Sequence, residues 1–329
     1  MSVEKLAEVW RGEIIESTHR GAIVVVNAQG SVLQSIGDHQ YLTYWRSAAK
    51  PIQALPVIAS GAADHFGFND EELALLTASH SGEQEHVCVI KNMLTKMKLD
   101  ESALCCGVHS PFHRPSAKKL IMSGQSPTVL HSNCSGKHAG MLAICLHQDF
   151  PLSGYDKPEH AVQKLILNNI SNFTEISAQN VHIGIDGCGV PVFGLPLYNM
   201  ALAYAKFTAP ERDKSVDRIV QAMVNNPFMV AGSGRICTDL MRVSKGTILA
   251  KTGAEGVYCA GLVDHGIGIA LKLEDGAQRA LAPVIVEALL QLGWLSPAQN
   301  GELANHHLIP LKNFHNVVIG NIRPAFQLN

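Results

Sequence analysis

Two kinds of pattern alternate along the chain. Short runs dominated by apolar and β-branched residues predict strands, and they lie at residues 22–27, 31–35, 182–185, 247–251, 256–260, 267–273 and 317–319. Segments with apolar residues three and four positions apart predict helices, and they lie at residues 52–59, 70–78, 83–97, 136–146, 158–169, 197–205, 210–224 and 276–292. The predicted strands cluster towards both ends of the chain, and the middle is mostly helical.

This distribution indicates one sheet built from both chain ends, with a helical region inserted between them. The later strands are joined by short turns rich in glycine and aspartate, which favours antiparallel hairpins over a βαβ series. We therefore predict an α+β fold in a single domain over residues 1–329. Its sheet subregion covers about residues 12–50 and 245–329, and its mainly helical subregion about residues 51–244.

Composition and charge exclude several classes of partner. Lysine and arginine (26) nearly balance aspartate and glutamate (28), and no basic run recurs, so we expect no nucleic acid and no anionic membrane as partner. No stretch approaches the roughly 20 apolar residues of a membrane span, and the N-terminus lacks the pattern of a signal peptide. Eight scattered cysteines without a C-x-x-C pair indicate reduced thiols and a cytoplasmic location. Without a Walker or G-x-G-x-x-G motif, we expect no nucleotide cofactor.

The first candidate for chemistry is the stretch RSAAKP at residues 46–51. Residues i and i+3 share a helix face, and Pro51 requires the helix to begin near Ser47. Ser47 and Lys50 are thus candidates for a nucleophile and its base. An ordinary helix start with an exposed lysine is the alternative, because S-x-x-K is a short pattern.

A second motif favours the catalytic interpretation. Lys251, Thr252 and Gly253 end a predicted strand, and in serine β-lactamases and penicillin-binding proteins such a K-T-G strand accompanies S-x-x-K. A lysine becomes a base when burial or a second cation lowers its pKa, and Lys251 is the candidate cation. Ser79, Ser81 or both, in the stretch ASHSGEQEH, are candidates for a proton relay.

Two polar loops carry one cysteine each. Cys134 lies in SNCSGKH beside Lys137 and His138, and Cys188 lies in GIDGCG beside Asp186. A soft ion such as zinc can bridge two such loops, but isolated cysteines are more often small buried apolar residues. The spacing alone therefore leaves a metal site open.

Six stretches together resemble the L-asparaginase II family, the Rhizobium etli type: RSAAKPIQALP, ASHSGEQEHV, SNCSGKHAGMLA, GIDGCGVP, MVAGSGRICTDLMR and AKTGAEGVYCAGL. The resemblance runs from about residue 12 to 275 and is weak after about residue 292. It implies a fold similar to serine β-lactamases and penicillin-binding proteins, hydrolysis of L-asparagine to L-aspartate and ammonia, and a homodimer.

The resemblance also implies roles for individual residues. It pairs Ser47, the nucleophile, with Lys50, and Ser79 with Lys251, in a Ser-Lys acyl-enzyme mechanism. It places zinc near the substrate, held by positions that match Cys134, Lys137 and Cys188. For the substrate, Asp186 is the candidate partner of the α-ammonium group and Gly253 a candidate contact. The candidates for the α-carboxylate are Arg46, Lys137 or His138.

Three alternatives remain at this point. A serine β-lactamase or peptidase shares S-x-x-K and K-T-G but does not need the CSGKH and DGCG loops. A glutaminase differs by one methylene in the substrate, which a pocket discriminates weakly. A binding module without turnover is disfavoured because Ser47, Lys50, Ser79 and Lys251 are all present.

Overall fold

The computed structural model describes residues 2–328. Its strands are β1 Glu4–Arg11, β2 Ile14–Asn27, β3 Val32–Ile36, β4 Leu42–Tyr44, β5 His182–Ile185, β6 Pro191–Pro196, β7 Ile248–Thr252, β8 Val257–Leu262, β9 Ile267–Leu273, β10 Ile309–Lys312 and β11 Val318–Pro324. Its α-helices are α1 Lys50–Ala59, α2 Ala62–His65, α3 Asp70–Leu76, α4 Gln84–Lys96, α5 Arg114–Met122, α6 Ser135–His147, α7 Ala161–Thr174, α8 Leu197–Phe207, α9 Lys214–Asn225, α10 Pro227–Val230, α11 Ile236–Val243, α12 Leu281–Gln291, α13 Pro297–Glu302 and α14 Ala304–His307.

The chain divides into two compact units. Unit 1 contains the chain up to Ala48, Leu195–Glu211, and the chain from Asp239 onward. Unit 2 contains Ala49–Gly194 and Arg212–Thr238. The backbone therefore passes from one unit to the other four times, and neither unit is one continuous segment.

Unit 1 is built on an antiparallel sheet in the order β10, β11, β1, β2, β9, β8, β7, with β3 also paired to β2. Residues 22–26 of β2 are all buried, which indicates that both faces of this strand are covered. Helix α8 packs on β2, β8 and β9, while α12 packs on β1, β8 and β11. The predicted α+β class, with an antiparallel sheet formed by both chain ends and a helical region between them, is confirmed.

Unit 2 is helical apart from β5 and the part of β6 up to Gly194. Helix α1 contacts α6, α7 and α9, and α3 contacts α4, α6 and α9. Along α1, nine of the ten residues are buried, including Lys50 at its first position. This helix therefore carries an amine into the interior of the unit.

Within residues 2–328, no helix combines the length and the apolar character that crossing a bilayer requires. All eight cysteines lie in this part of the chain and have free thiols.

Candidate active site

Lys50 is the centre of a hydrogen-bonded cluster in unit 2. A 3-10 turn at Arg46–Ala49 leads directly into α1, and Pro51 occupies the first turn of that helix, where it needs no N–H. The fully buried Lys50 Nζ has four acceptors within hydrogen-bond distance, which share its three N–H groups: the Ala78 carbonyl oxygen at 2.6 Å, the Ser79 hydroxyl at 3.1 Å, the Asn133 carbonyl at 3.3 Å and Cys134 Sγ at 3.2 Å. These contacts fix the amine beside Ser79, so the structure adds a Lys50–Ser79 contact to the two predicted Ser-Lys pairs.

Ser79 lies in the loop that follows α3. Its backbone N–H donates to the Val230 carbonyl at 3.0 Å, which ties this loop to the C-terminal end of α10. The start of α6 approaches the end of α3 closely, because a Cβ on Gly136 would lie 2.1 Å from the Leu75 carbonyl oxygen. Only glycine permits this approach, and it brings the first turn of α6 to Lys50 and Ser79.

The two predicted cysteine loops meet in unit 2. Cys134 is the N-cap of α6, and Cys188 lies in the turn of the β5–β6 hairpin. Ligand atoms of Cys134, Asp186 and Cys188 all lie within 4.8 Å of one another. Lys137 Nζ donates to Cys188 Sγ at 3.3 Å. The three predicted metal ligands are therefore neighbours, and Asp186 joins them.

Neighbouring charges favour one thiolate in this cluster. The hydrogen bond from Cys188 and the charges of Lys50 and Lys137 hold the pKa of the Cys134 thiol well below its usual range, although burial opposes this. The same hydrogen bond, together with burial, raises the pKa of Cys188. The pair is thus best described as sharing one proton. Burial disfavours the charge of Lys137, but the sulfurs of Cys188 and Cys134 outweigh it and raise the Lys137 pKa.

The donor set fits a zinc ion. Zinc in proteins takes four ligands, among which thiolates and carboxylates are common. Cys134 and Cys188 supply two sulfurs, Asp186 supplies a carboxylate, and Lys137 supplies a nitrogen that must lose its proton in order to coordinate. The sequence predicts Asp186 as the partner of the substrate α-ammonium group, and the structure places its carboxylate beside both cysteines.

His138, predicted to contact substrate, is fully buried in the first turn of α6. Burial, and then the charges of Lys137 and Lys50, place its pKa well below the usual range. Its Nδ1 lies 2.7 Å from the Tyr155 hydroxyl, which itself accepts the backbone N–H of Cys105 at 2.8 Å. The His138 ring is therefore uncharged, and its Nδ1 is hydrogen bonded to Tyr155.

The remaining predicted site residues, Ser47, Arg46, Lys251 and Gly253, belong to unit 1. Ser47 is partly exposed and follows Arg46, whose φ of 53° lies in the left-handed region. Lys251 is fully buried on β7, opposite Cys259 of β8, and its Nζ donates to the Thr252 carbonyl at 3.2 Å. The Gly253 N–H donates to the Val257 carbonyl at 2.7 Å, so this N–H closes a turn.

Several residues that build the site were not identified from the sequence. Ala78 and Asn133 act through backbone carbonyls, which leave no signature in the residue type. Tyr155 contacts His138 across 17 residues of chain, and Tyr204 donates to the Ala48 carbonyl across 156 residues. A tyrosine hydroxyl usually has a hydrogen-bond partner when it is buried. The sequence shows the tyrosines but not which of them are buried, so it could not identify these two contacts.

Comparisons with known proteins agree with the resemblance. The family model described as L-asparaginase II matches residues 7–324. A search of curated proteins gave no match.

Solved structures similar to this chain include a putative β-lactamase from Bacteroides dorei DSM 17855, at 13% identity and a TM-score of 0.43, covering 81% of this chain and 92% of that one. A β-lactamase from Mycobacterium bovis is similar at 12% identity and a TM-score of 0.45, covering 84% of this chain and 95% of that one.

Proposed function

Because the chain belongs to the L-asparaginase II family, we propose that it is an amidohydrolase that converts L-asparagine and water to L-aspartate and ammonia. The observation that carries this proposal is the family match, which extends over residues 7–324. The cluster around Lys50, Ser79 and Cys134 supports it, since buried amines, hydroxyls and thiols in contact are typical of catalytic sites.

In the proposed reaction, Ser47 Oγ attacks the side-chain carboxamide carbon and gives up its proton to Lys50. The C–N bond then breaks, an ester forms between Ser47 and the aspartyl group, and the nitrogen leaves as ammonia after receiving a proton relayed through Ser79 and Lys251. Water adds to the ester by the reverse path and releases L-aspartate. The 3.1 Å contact between Lys50 Nζ and Ser79 Oγ supports the relay.

We further propose that Cys134, Lys137 and Cys188 hold zinc near the substrate. The proximity of Asp186 to both sulfurs makes it the candidate for a fourth ligand or for the partner of the substrate α-ammonium group. When bound, zinc supplies a positive charge that polarises a nearby oxygen. The substitution Asp186→Asn distinguishes the two roles. If Asp186 is a zinc ligand, the variant binds less zinc; if Asp186 binds the substrate, the variant has a higher KM and an unchanged zinc content.

For the α-carboxylate, the candidates are Arg46, Lys137 and His138. His138 would act as a neutral N–H donor, and Arg46 as a cation. Gly253 remains a candidate contact through its backbone.

We also propose a homodimer, which rests on the family resemblance, and a cytoplasmic location, which rests on eight free thiols. Light scattering coupled to size-exclusion chromatography tests the dimer.

The decisive experiment measures ammonia release from L-asparagine by the full chain, with and without a zinc chelator. Ser47→Ala is expected to lose at least about 1000-fold in kcat, as nucleophile removal does in other acyl-transfer enzymes. Ser123→Ala, at an exposed serine, is the matched control and keeps full activity. Near-normal turnover by Ser47→Ala would overturn the mechanism. Parallel assays with L-glutamine and nitrocefin separate the glutaminase and β-lactamase alternatives.

A further inference from the structure

The chain around Ser47 adopts a strained backbone conformation. Arg46 has a φ of 53°, a left-handed conformation that costs an L-residue free energy because its Cβ crowds the following carbonyl. Such conformations persist where the surrounding structure enforces them, and they concentrate at functional sites. The contacts that hold Arg46 therefore also set the direction in which the next residue, Ser47, points.

Two anchors hold this segment, one before the strained residue and one after Ser47. On the first side, the fully buried Trp45 donates its Nε1–H to Cys259 Sγ at 3.3 Å, and its ring lies 6.2 Å from that of Tyr204. On the second side, the Tyr204 hydroxyl donates to the Ala48 carbonyl at 2.8 Å. Tyr204 takes part in both anchors.

Tyr204 reaches this segment because α8 lies unusually close to the sheet. Gly261 of β8 and Gly268 of β9 are directly paired in register. A Cβ on Gly268 would lie 2.1 Å from the Ala201 carbonyl oxygen, and one on Gly261 would lie 2.6 Å from the Thr208 side chain. Because the paired glycines have no side chains, α8 packs directly against the sheet backbone at this point. This close packing fixes the distance between the Tyr204 ring and the sheet.

We propose that Tyr204 is a positioning residue for the nucleophile: by binding the Ala48 carbonyl and packing on Trp45, it holds Arg46 left-handed and aims Ser47 Oγ at the substrate. This inference rests on the proposed role of Ser47. Tyr204 acts through the backbone and not on the substrate. Its loss therefore lowers kcat and leaves KM nearly unchanged.

The first test replaces Tyr204 by Phe, which keeps the ring and removes the hydroxyl. The matched control is Tyr198→Phe, because Tyr198 lies on the same helix and donates to the Gly30 carbonyl at the same distance of 2.8 Å. Tyr204→Phe is expected to lower kcat for asparagine by roughly tenfold or more at near-constant KM. Tyr198→Phe keeps kcat within roughly twofold. Equal kcat values for the two folded variants would overturn the proposal.

The second test probes the strain itself. In the Tyr204→Phe background, Arg46→Gly removes the cost of the left-handed conformation, whereas Arg46→Ala keeps it; both remove the guanidinium, so any role of that group in substrate binding cancels. We expect the glycine double variant to exceed the alanine double variant by roughly tenfold in kcat. Equal rates would contradict the proposal. Full activity of Ser47→Ala would instead refute the proposed function, so the two failures are distinguishable.

Discussion

Buried histidines in unit 2 are kept uncharged by their surroundings. His80 is fully buried; its Nε2 lies 2.9 Å from the Ser135 hydroxyl, and its Nδ1 accepts the Gly82 N–H. Burial, followed by the nearby His86 and Lys50, sets its pKa well below the usual range. His80 is therefore neutral in the folded chain, whereas in the unfolded chain it takes up a proton near pH 6.5.

This difference makes stability depend on pH. Below about pH 6.5 the unfolded state binds more protons than the folded state, so the free energy of unfolding falls as the pH falls, by at most about 1.4 kcal/mol per pH unit for each such group. We expect the free energy of unfolding of the wild type, measured by urea titration, to fall between pH 7.5 and pH 5.5. His80→Asn, whose amide oxygen can still accept the Gly82 N–H, is expected to show a smaller decrease. An unchanged slope would contradict this account of His80.

The proximity of Cys134 and Cys188 leads to a prediction about metal binding. Zinc that binds only the folded chain raises stability, by about 2.7 kcal/mol at a hundredfold excess over Kd. We expect zinc to raise the melting temperature of the wild type and of Cys145→Ala, a buried cysteine on the same helix as the cluster. Cys134→Ala is expected to lose the increase. An equal increase in both variants would exclude Cys134 as a ligand.

The residue types of the site could be predicted, but their arrangement could not. Ser79, Lys50 and the two cysteines stand in stretches that carry motifs or the family resemblance, and in unit 2 the structure brings Lys50, Ser79 and Cys134 together. The carbonyls that hold Lys50 come from distant positions in the chain, and any residue type can supply them. The place of Asp186 beside both sulfurs depends on a hairpin turn whose register the sequence does not specify.

At the scale of elements, strands with unbroken apolar runs were predicted and less regular ones were not. Strand β9 and strand β5 have the predicted bounds. Strand β1 was missed because charged residues interrupt its apolar positions, and β6 because it starts and ends with proline. Helix α5 was also missed. Its apolar residues are concentrated at its C-terminal end, in Leu120, Ile121 and Met122, and none of its residues is buried.

The close approach of α8 to the sheet leads to a prediction about stability. A methyl group on Gly268 would lie 2.1 Å from the Ala201 carbonyl, so Gly268→Ala must push the helix away. We expect a loss of roughly 3 kcal/mol or more in the free energy of unfolding, since overpacking against backbone has no easy relief. Denaturant titration measures the loss.

Gly301→Ala is the control for this substitution. Gly301 lies in α13, its φ is not positive, and nothing lies within 4 Å of the added Cβ. It is expected to be neutral or to stabilise by about 0.5–1 kcal/mol, because alanine favours helix. Similar losses of stability in the two variants would show that the packing of α8 on the sheet does not require glycine at position 268.

At the scale of the whole molecule, both chain ends contribute to one sheet. Strand β11 pairs with β1, and Ile322 on it is buried. Leu328 is also buried, and its N–H donates to Gln291 of α12. The C-terminal segment, where the sequence resemblance was weak, is thus part of the core of unit 1.

Removal of residues 309–329 is therefore expected to destabilise the protein strongly. Two buried aliphatic side chains at about 1.5–3 kcal/mol each give a loss of at least about 3 kcal/mol, before the lost strand pairing is counted. Thermal unfolding of the truncated and full chains measures it. Phe314→Ser, at an exposed turn residue, serves as the control and leaves the melting temperature unchanged. A truncated chain as stable as the control would contradict this role for the segment.

The pairing of β2 with β9 joins residues 240 to 252 positions apart, and this has a consequence during synthesis on the ribosome. At 5–20 residues per second, the apolar strand β2 emerges roughly 10 to 50 s before its partner β9 exists. Residues 49–238, which include all of unit 2, are synthesised during that interval. Strand β3 can pair with β2 at once, but the edge of β2 that pairs with β9 stays open while the helical part is completed. A chaperone that binds open apolar strand edges is therefore expected to bind the nascent chain at residues 21–27.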